Sequence, residues 1–252
     1  MKLGIIGLGL IGGSLGLKLR SRSHYILGIS RQSDTCALAC QKGITDEAST
    51  DFSLLREAEA IFICTPMGAI VPTVEQLKPI LSPETILTDV GSVKTPIVEA
   101  VTPIWSNFIG GHPMTGTAQQ GIEAAQSDLF QGTRYVLTPT EKTPLKAQKT
   151  LEALTQDLET ELITCSPQTH DQAVAWISHL PVFVSSSLIA SCCQEEDQEV
   201  VKLAQKLASS GFRDTSRVGG GNPELGVMMA KYNKDAIARS LRLYRQQLDT
   251  LL

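Results

Sequence analysis

Short apolar runs alternate with helix-like stretches along residues 1–165 of the chain. Residues 60–65 are apolar almost throughout, as expected for a strand that is covered on both faces. Similar β-rich runs, with helix-like segments between them, occur at residues 3–6, 24–30, 85–89, 108–110, 135–137 and 161–165. Alternation of this kind predicts an α/β domain with a doubly wound, mostly parallel sheet over residues 1–165.

The pattern changes after residue 165. Residues 169–193 are rich in Ala, Ser, Val and Leu and are interrupted only by Pro181, residues 198–209 are amphipathic, and residues 224–252 continue as a helical run. Since this half carries no strand pattern, a second, all-helical domain is predicted over residues 166–252. At about 85 residues this domain is small for an independent core, and its long apolar faces indicate that it packs against a second copy, as a homodimer.

The composition argues against several classes of function. Of the 252 residues, 42% are hydrophobic and 19% are charged, and the net charge is −4, which is typical of a globular protein. Without a basic stripe, no nucleic-acid partner is expected. No apolar run approaches the length of a membrane span, so no membrane partner is expected either. The first strand begins directly after Met1, and we therefore expect no signal or transit peptide.

The cysteines give no metal or disulfide signal. They include no C-x-x-C pair and do not cluster with histidines at metal-binding spacing. We therefore expect reduced thiols in a cytoplasmic protein, with no disulfide and no structural metal. The six cysteines are Cys36, Cys40, Cys64, Cys165, Cys192 and Cys193.

The glycine-rich segment after the first predicted strand is typical of a dinucleotide-binding turn. In such a turn Gly7 allows the tight bend, Gly9 lets the backbone approach a pyrophosphate, and Gly12 lets helix and strand pack closely. The first backbone N–H groups of the following helix, at Leu10 and Ile11, would then hold the phosphates. Because a strand precedes this G-x-G-x-x-G and a helix follows it, the motif predicts a nicotinamide dinucleotide site.

The tip of the second predicted strand indicates which dinucleotide binds. NAD-preferring sites carry Asp or Glu there, to accept a hydrogen bond from the ribose 2′-OH. Here the tip carries Ser30 and Arg31, and Asp34 falls beyond the expected strand end. A hydroxyl and a guanidinium suit a 2′-phosphate, which a carboxylate would repel, so we predict NADP. Thr65 and Pro66, which follow the next strand, complete the predicted cofactor site.

Polar residues after two further strands supply candidate chemistry, because a doubly wound sheet binds ligands at the carboxyl ends of its strands. Residues 89–94 and 110–117 follow those strands, which puts Ser92 and His112 in loops where a nicotinamide ring would lie. A neutral histidine there can accept the proton of a hydroxyl that becomes a carbonyl. Ser92 either assists this reaction or caps the following helix. The alternative for His112 is a structural role in its Gly-rich loop.

Four motifs in combination resemble those of the prephenate and arogenate dehydrogenase family: GLGLIGGSL at residues 7–15, DVGSVK at 89–94, GGHPMTGT at 110–117 and SHLP at 178–181. The resemblance is especially close to the arogenate dehydrogenases of cyanobacteria. Enzymes of this family make tyrosine or its precursor. They combine an N-terminal Rossmann domain with a C-terminal helical domain that forms an intertwined homodimer, and the resemblance implies the same arrangement here.

The resemblance also implies roles for single residues. His112 matches the catalytic histidine of the family, which hydrogen-bonds the C4 hydroxyl of the substrate as hydride leaves for the nicotinamide. Ser92 matches the serine that assists this histidine. His179, in SHLP, is implied to lie near the substrate, with a satisfied core histidine as the alternative. Arg217, which follows a Gly-Phe-Arg-Asp stretch, is implied to bind a substrate carboxylate.

Three further residues bear on the substrate. Thr117 is expected to contact it, and Arg213 is a second cation that matches no family motif and has a surface charge as its alternative. Prephenate-preferring members often carry an acid directly after the H-P-x-x-G-T run, where this chain has Ala118. This departure favours arogenate. The predicted reaction is therefore the oxidative decarboxylation of L-arogenate to L-tyrosine with NADP.

Three other functions stay open from the sequence. A prephenate dehydrogenase, with NAD or NADP, would give 4-hydroxyphenylpyruvate. A β-hydroxyacid-type dehydrogenase would use a lysine of its second domain, for which Lys231 is a candidate, but this leaves His112 and the SHLP segment unexplained. An NADPH-sensing protein would bind the cofactor without turnover and would need no catalytic His and Ser.

Overall fold

A computed structural model describes residues 1–117, 119–221 and 223–251 of the chain. The chain divides into two compact units, Met1–Gln168 and Thr169–Leu252. Ala118, which carries part of the sequence-based preference for arogenate, lies outside the described residues.

An 8-stranded sheet forms the centre of the first unit, in the order β3-β2-β1-β4-β5-β6-β7-β8. Neighbouring strands are parallel except for β6 and β7, which are antiparallel. The predicted doubly wound, mostly parallel sheet is thus confirmed. The strands are β1 (Lys2–Ile6), β2 (Tyr25–Ile29), β3 (Glu47–Ser49), β4 (Ala60–Ile63), β5 (Ile86–Asp89), β6 (Phe108–Pro113), β7 (Arg134–Thr138) and β8 (Glu161–Thr164).

Helices connect these strands and share a core with them. Strand β4 is buried at every residue, which explains its unbroken apolar sequence. Leu15 of the first helix and Leu151 of the fifth belong to the same buried cluster as Leu3 and Phe62 of the sheet. The helices are α1 (Leu10–Ser21), α2 (Ser33–Gln41), α3 (Met67–Leu77), α4 (Thr95–Val101) and α5 (Leu145–Asp157), with 3₁₀ turns at Phe52–Glu57 and Ile122–Ala124.

Strand β6 differs from the prediction, which placed His112 in a loop. The strand continues through Gly110 and Gly111 to Pro113, because Gly110 to Pro113 pair with β7, and His112 pairs with Val136. Two adjacent glycines are typical of a loop, but here they lie in a strand that is packed too closely for a side chain at either position. A Cβ atom at Gly111 would lie 2.7 Å from the backbone oxygen of Asp89.

The secondary-structure elements among the described residues of the second unit are all helices. A continuous helical segment consists of α6 (Pro167–Val174), a π-helical turn (Ala175–His179) and α7 (Leu180–Cys192). Pro181 does not interrupt it; the proline lies in the first turn of α7, directly after the π-helical turn. The other helices are α8 (Gln198–Leu207), α9 (Ser210–Ser216), α10 (Pro223–Tyr232) and α11 (Lys234–Asp249).

The helical segment Pro167–Cys192 corrects one expectation. It is 26 residues long with a mean hydropathy of 1.6 in its most apolar window, so an apolar stretch does reach the length of a membrane span. The core helix of a globular domain meets the same criterion, and this segment carries three buried ionisable residues, His170, Asp171 and His179. Ionisable groups are costly inside a bilayer, so length alone is weak evidence for a span.

The second unit covers its apolar residues incompletely. Among the described residues, its core cluster has three buried members, Ala175, Met229 and Ile237. Large apolar side chains remain exposed, among them Ile177 at 69% and Leu207 at 70%. Contiguous exposed apolar surface marks an interaction site in globular proteins.

Candidate active site

The turn after β1 has the geometry that its glycines predict. Gly7 has a φ of +94°, a left-handed conformation that side chains rarely adopt. A Cβ atom at Gly7 would also lie 2.6 Å from the backbone oxygen of Cys64, and one at Gly12 would collide with the backbone oxygen of Gly7. Gly7 and Gly12 are therefore needed for the fold of the turn itself.

Gly9 differs from these two glycines because its surroundings are open. No atom lies within 4 Å of a Cβ built at Gly9. Gly9 is the N-cap of α1, which has neither a side-chain cap bond nor an acidic residue in its first turn. The first N–H groups of α1 thus keep the capacity to bind an anion.

A cleft of about 890 Å³ opens at this turn, where the strand order reverses between β1 and β4. Six of the nine predicted cofactor residues line it: Gly7, Gly9, Ser30, Arg31, Thr65 and Pro66. The other three do not. Leu10 and Ile11 pack against the core, and Gly12 is buried beneath the turn.

One end of the cleft is polar and carries a positive charge. Arg31, Gln32 and Thr35 line this end, and the Thr35 hydroxyl donates to Gln32 Oε1 at 3.2 Å. Arg31 is exposed, and among the described residues that line the cleft it is the charged one. Asp34 lies in the first turn of α2 and is not part of the lining. Sequence reasoning did not identify Gln32 and Thr35, which lie beyond the strand tip.

Thr65 presents an unpaired hydroxyl in the same cleft. Its Oγ1 atom is buried and has no hydrogen-bond partner among the described residues. Beside it, burial raises the pKa of the Cys64 thiol, and the negative charge of Asp89 adds to this. Cys64 therefore stays a neutral thiol, and the orphaned Thr65 hydroxyl fits a polar ligand atom.

A buried ion pair links the carboxyl-terminal end of β5 to that of β6. The ammonium of Lys94 pairs with the Asp89 carboxylate, and both side chains are fully buried. Lys94 also donates to the backbone oxygen of Gly111 at 2.6 Å. Asp89 in turn accepts from the backbone N–H groups of Gly91 at 2.8 Å and Gly111 at 3.2 Å. The loop after β5 and the end of β6 are thereby fixed to each other.

This ion pair positions the two predicted catalytic residues. Ser92 lies in the loop between Asp89 and Lys94, half-buried, with its hydroxyl 3.7 Å from Met67 Sδ. His112 follows Gly111 directly and is half-buried. The pair thus anchors both backbones at one edge of the sheet. The sequence analysis used Asp89 and Lys94 only as parts of a motif. Their opposite charges were the feature from which the ion pair could have been predicted.

Thr117 lies in the exposed loop after β6. Its Oγ1 atom accepts a hydrogen bond from the backbone N–H of Gln119 at 3.2 Å, so its hydroxyl shapes this loop. Thr115, two residues earlier, donates to the backbone oxygen of Leu129 at 3.1 Å. The predicted substrate contact of Thr117 stays a prediction.

His179 lies in a polar cluster inside the second unit. It is 1% exposed, and the π-helical turn that ends at this residue directs it into the core. Its Nδ1 atom is 3.2 Å from Asn233 Nδ2, and its Nε2 atom has no partner among the described residues. Burial lowers the pKa of His179 to about 4, so the ring is neutral at pH 7.

The rest of this cluster was missed in the sequence. Asn233 donates from Nδ2 to the backbone oxygen of Asp171 at 2.8 Å. The Oδ1 atom of Asp171 lies 2.8 Å from Nδ1 of the neighbouring His170. Asn233 is 54 residues from His179, a separation at which only folding reveals the contact.

The two predicted arginines of the second unit differ in their contacts. Arg217 ends α9, is exposed, and has no ion pair among the described residues. Two residues later, the Gly219 N–H donates to Ser185 Oγ of α7 at 2.8 Å. Arg213 pairs with Asp214 at the surface, at 3.4 Å. Arg217 is therefore the arginine with a guanidinium available to an anion.

Among the described residues, neither unit offers a cluster suited to a metal. The part of the chain that the structure describes has no group of three or more His, Cys, Asp or Glu residues that could hold an ion.

Comparison with known proteins identifies the family. Residues 14–164 match the nucleotide-binding domain of prephenate dehydrogenase, and residues 166–252 match its dimerization domain. The prephenate dehydrogenase of Bacillus subtilis is 32% identical over 254 residues, which cover 98% of this chain and 68% of the relative.

Two solved structures are similar over the whole chain. Synechocystis arogenate dehydrogenase is 56% identical with a TM-score of 0.94, and the match covers 100% of this chain and 90% of that one. Prephenate dehydrogenase from A. aeolicus, in complex with hydroxyphenyl propionate and NAD+, is 28% identical with a TM-score of 0.92, covering 100% and 89%. The chain therefore belongs to the prephenate dehydrogenase family, and it is an oxidoreductase with a pyridine-nucleotide-binding domain.

Proposed function

We propose that this protein oxidises L-arogenate to L-tyrosine, with release of CO₂ and transfer of hydride to NADP+. The assignment of arogenate as the substrate rests on the 56% identity to Synechocystis arogenate dehydrogenase over the whole chain. The observation that carries the cofactor is the polar end of the cleft, where Arg31 is the charged residue and no carboxylate takes part in the described lining.

The residues of the cleft fit a dinucleotide. The open space at Gly9 and the uncapped first turn of α1 suit a pyrophosphate. The orphaned Thr65 hydroxyl suits the nicotinamide end, and Arg31 with Ser30 suits a 2′-phosphate. When bound, NADP+ accepts the hydride.

His112 and Ser92 are the proposed catalytic residues. His112 accepts a hydrogen bond from the C4 hydroxyl of arogenate and holds its proton while the hydride leaves C4. The bond from C1 to the carboxylate then breaks, and its electron pair completes the aromatic ring. The proton returns to the C4 oxygen, which becomes the phenol of tyrosine. Ser92 orients this hydrogen-bonded system.

Residues of the helical unit and the loop after β6 are proposed to bind the substrate. The exposed guanidinium of Arg217 suits a carboxylate, which it can bind through two parallel hydrogen bonds. His179 offers its Nε2 atom, for which the described residues provide no partner. Thr117 is proposed as a further contact. Arg213 is proposed only as a supporting positive charge, since Asp214 partly neutralises it.

We infer that the protein acts as a homodimer in the cytoplasm. The family model that matches the second unit is a dimerization domain, and the exposed apolar side chains of that unit suit a second copy. Helix α8 has no buried residue among those described, although one of its faces is apolar. All six cysteines are free thiols, which suits a reducing compartment. No nucleic-acid or membrane partner is proposed.

The second candidate is a prephenate dehydrogenase, favoured by the Bacillus subtilis relative. A β-hydroxyacid-type dehydrogenase is less well supported, because Lys231 is exposed and its ammonium lies over the Tyr232 ring, 5.2 Å from the centroid.

Initial rates decide between these functions. The purified protein is assayed with arogenate or prephenate, each with NADP+ or NAD+. Turnover that is strong only with arogenate and NADP+ supports the proposal. A preference for prephenate or for NAD+ overturns the substrate or the cofactor assignment, respectively. Binding of NADPH without turnover in any combination would instead favour the NADPH-sensing alternative.

A further inference from the structure

Asn233 occupies a helix N-cap but does not use its side chain to cap the helix. It precedes α11, where asparagine usually accepts a hydrogen bond from the next backbone N–H groups. No such bond is formed, and the side chain instead turns into the core, where the residue is 6% exposed. A strong capping residue has thus been diverted to another contact.

The orientation of the Asn233 amide is fixed by the backbone. Its Nδ2 atom lies 2.8 Å from the carbonyl oxygen of Asp171, which can only accept a hydrogen bond. The NH₂ group must therefore face this oxygen, rather than the amide oxygen. The second hydrogen of the NH₂ group is then available to His179 Nδ1, which lies 3.2 Å away.

This contact determines which nitrogen of His179 carries the proton. A neutral imidazole has one donor nitrogen and one acceptor nitrogen. Because Nδ1 faces an N–H donor, Nδ1 is the acceptor and the proton is on Nε2. That N–H is buried and has no acceptor among the described residues. A buried donor without a partner destabilises a protein, so its retention indicates a use.

The surroundings keep the ring neutral. Burial, the main cause, lowers the pKa of His179, and the neighbouring His170 lowers it further. The charge of Asp171 raises the pKa, but by less than burial lowers it. The ring therefore does not become an imidazolium near neutral pH.

We propose that Asn233 is a positioning residue that locks His179 in the neutral Nε2–H form, so that this histidine offers the substrate one uncharged donor. The group it recognises is an acceptor oxygen, such as a carboxylate, hydroxyl or carbonyl, and an ammonium group is disfavoured there. The inference rests on the proposed function, in which His179 binds the substrate, but the tautomer itself does not depend on that function.

The tautomer is measured directly by NMR on the full chain labelled with ¹⁵N-histidine. Loss of one set of signals in His179→Gln assigns the ring. In the unaltered protein, Nε2 is expected to be protonated and Nδ1 unprotonated throughout pH 6 to 8. In Asn233→Asp the new carboxylate accepts a hydrogen bond, so the proton is expected at Nδ1. A proton on Nδ1 in the unaltered protein, or a mixture of both forms, overturns the proposal.

Kinetics test whether the lock serves substrate binding. Asn233→Asp and Asn233→Leu are expected to raise KM for arogenate about ten-fold or more, since a lost substrate hydrogen bond is of that size. The kcat value and KM for NADP+ are expected to change by less than about three-fold. Asn107→Leu is the matched control, because Asn107 Nδ2 also donates to a backbone oxygen, that of Pro83, at 2.8 Å.

The outcomes separate this inference from the proposed function. An unchanged KM for arogenate in both Asn233 variants, with the tautomer shifted, would contradict the role in binding. If the Asn233 variants do not fold, the spectrum of the unaltered protein alone decides the tautomer. If that protein turns over neither arogenate nor prephenate, the proposed function fails, while the tautomer is still tested.

Discussion

The two units bury their polar groups in different ways. In the nucleotide-binding unit, Asp89 and Lys94 form a charged pair whose hydrogen bonds also go to the backbone of neighbouring segments. In the helical unit, His179 is neutral and is held through one nitrogen by Asn233, while its other nitrogen has no partner in the described part of the chain. The charged pair joins two segments of backbone, whereas the neutral ring retains a donor.

This difference shows that burial serves separate purposes for the Asp89–Lys94 pair and for His179. A buried charge must be fully paired, because an unpaired one costs several kcal/mol. Such a pair is suited to rigid positioning of Ser92 and His112, and not to ligand binding. A neutral group can stay partly unsatisfied at a smaller cost and is therefore suited to contact a substrate.

Breaking the charged pair tests the first half of the comparison and is expected to have the largest effect. Lys94→Met leaves the Asp89 carboxylate buried and unpaired, and should lower the free energy of unfolding by about 4–5 kcal/mol. Urea unfolding measures this. Lys2→Met, which removes an exposed pair with Glu57, is the control and should leave stability nearly unchanged. Equal stability of Lys94→Met and the unaltered protein would show that the pair is not an anchor.

Replacing the residue that the pair positions should chiefly affect turnover. His112→Asn removes the proposed proton acceptor and is expected to lower kcat about 10³-fold, or about 4 kcal/mol, without unfolding the protein. His24→Asn is the control, since His24 bonds to Asp157 at 2.9 Å outside the cofactor cleft. Steady-state rates at saturating substrate compare the two variants, and a similar kcat for both would exclude the catalytic role.

The neutral ring of His179 predicts a pH dependence of stability. The pKa of His179 is lowered from 6.5 to about 4 in the folded state, so the unfolded chain binds more protons between these values. The stability that this contributes is present above pH 6.5 and is lost as the pH falls towards 4, by up to about 3 kcal/mol. Unfolding from pH 7 to 4.5 should therefore show a steeper loss in the unaltered protein than in His179→Gln. Parallel curves would contradict this account.

The smallest expected effect concerns the polar end of the cleft. Arg31→Ala removes a charge-assisted contact to the 2′-phosphate and should raise KM for NADP+ about 30-fold, or about 2 kcal/mol, leaving KM for NAD+ unchanged. Arg239→Ala, an exposed arginine of α11, is the control. Initial rates with both cofactors check the prediction. An equal change with NAD+ and NADP+ would mean that Arg31 does not recognise the phosphate.

Local patterns predicted those parts of the site that depend on local backbone. The glycines at positions 7, 9 and 12 each predict a property of the backbone. As predicted, the turn is closely packed at Gly7 and Gly12 and open at Gly9. Glycine also misled the prediction at Gly110 and Gly111, which were read as a loop. Both residues lie in strand β6. Glycine is needed there because a side chain would collide with Asp89, Lys94 or Thr138.

Long-range contacts set the limit of this reasoning. The sequence did not indicate that Asn233 and His170 belong to the cluster around His179. A single Asn or His in a helical pattern does not show which residues its side chain will contact. The helical segment Pro167–Cys192 was likewise misjudged in length, because Pro181 reads as a break and the π-helical turn before it does not show in the sequence.

The sequence by itself determined the alternation of strands and helices, the dinucleotide-binding turn and the family motifs, because these depend on residues close together in the chain. Only the tertiary structure decided that Asp89 and Lys94 anchor β6, and that Asn233 fixes the ring of His179. The physical reason is that burial and hydrogen-bond partners, and with them the pKa of a histidine, are set by groups that folding brings together from distant positions.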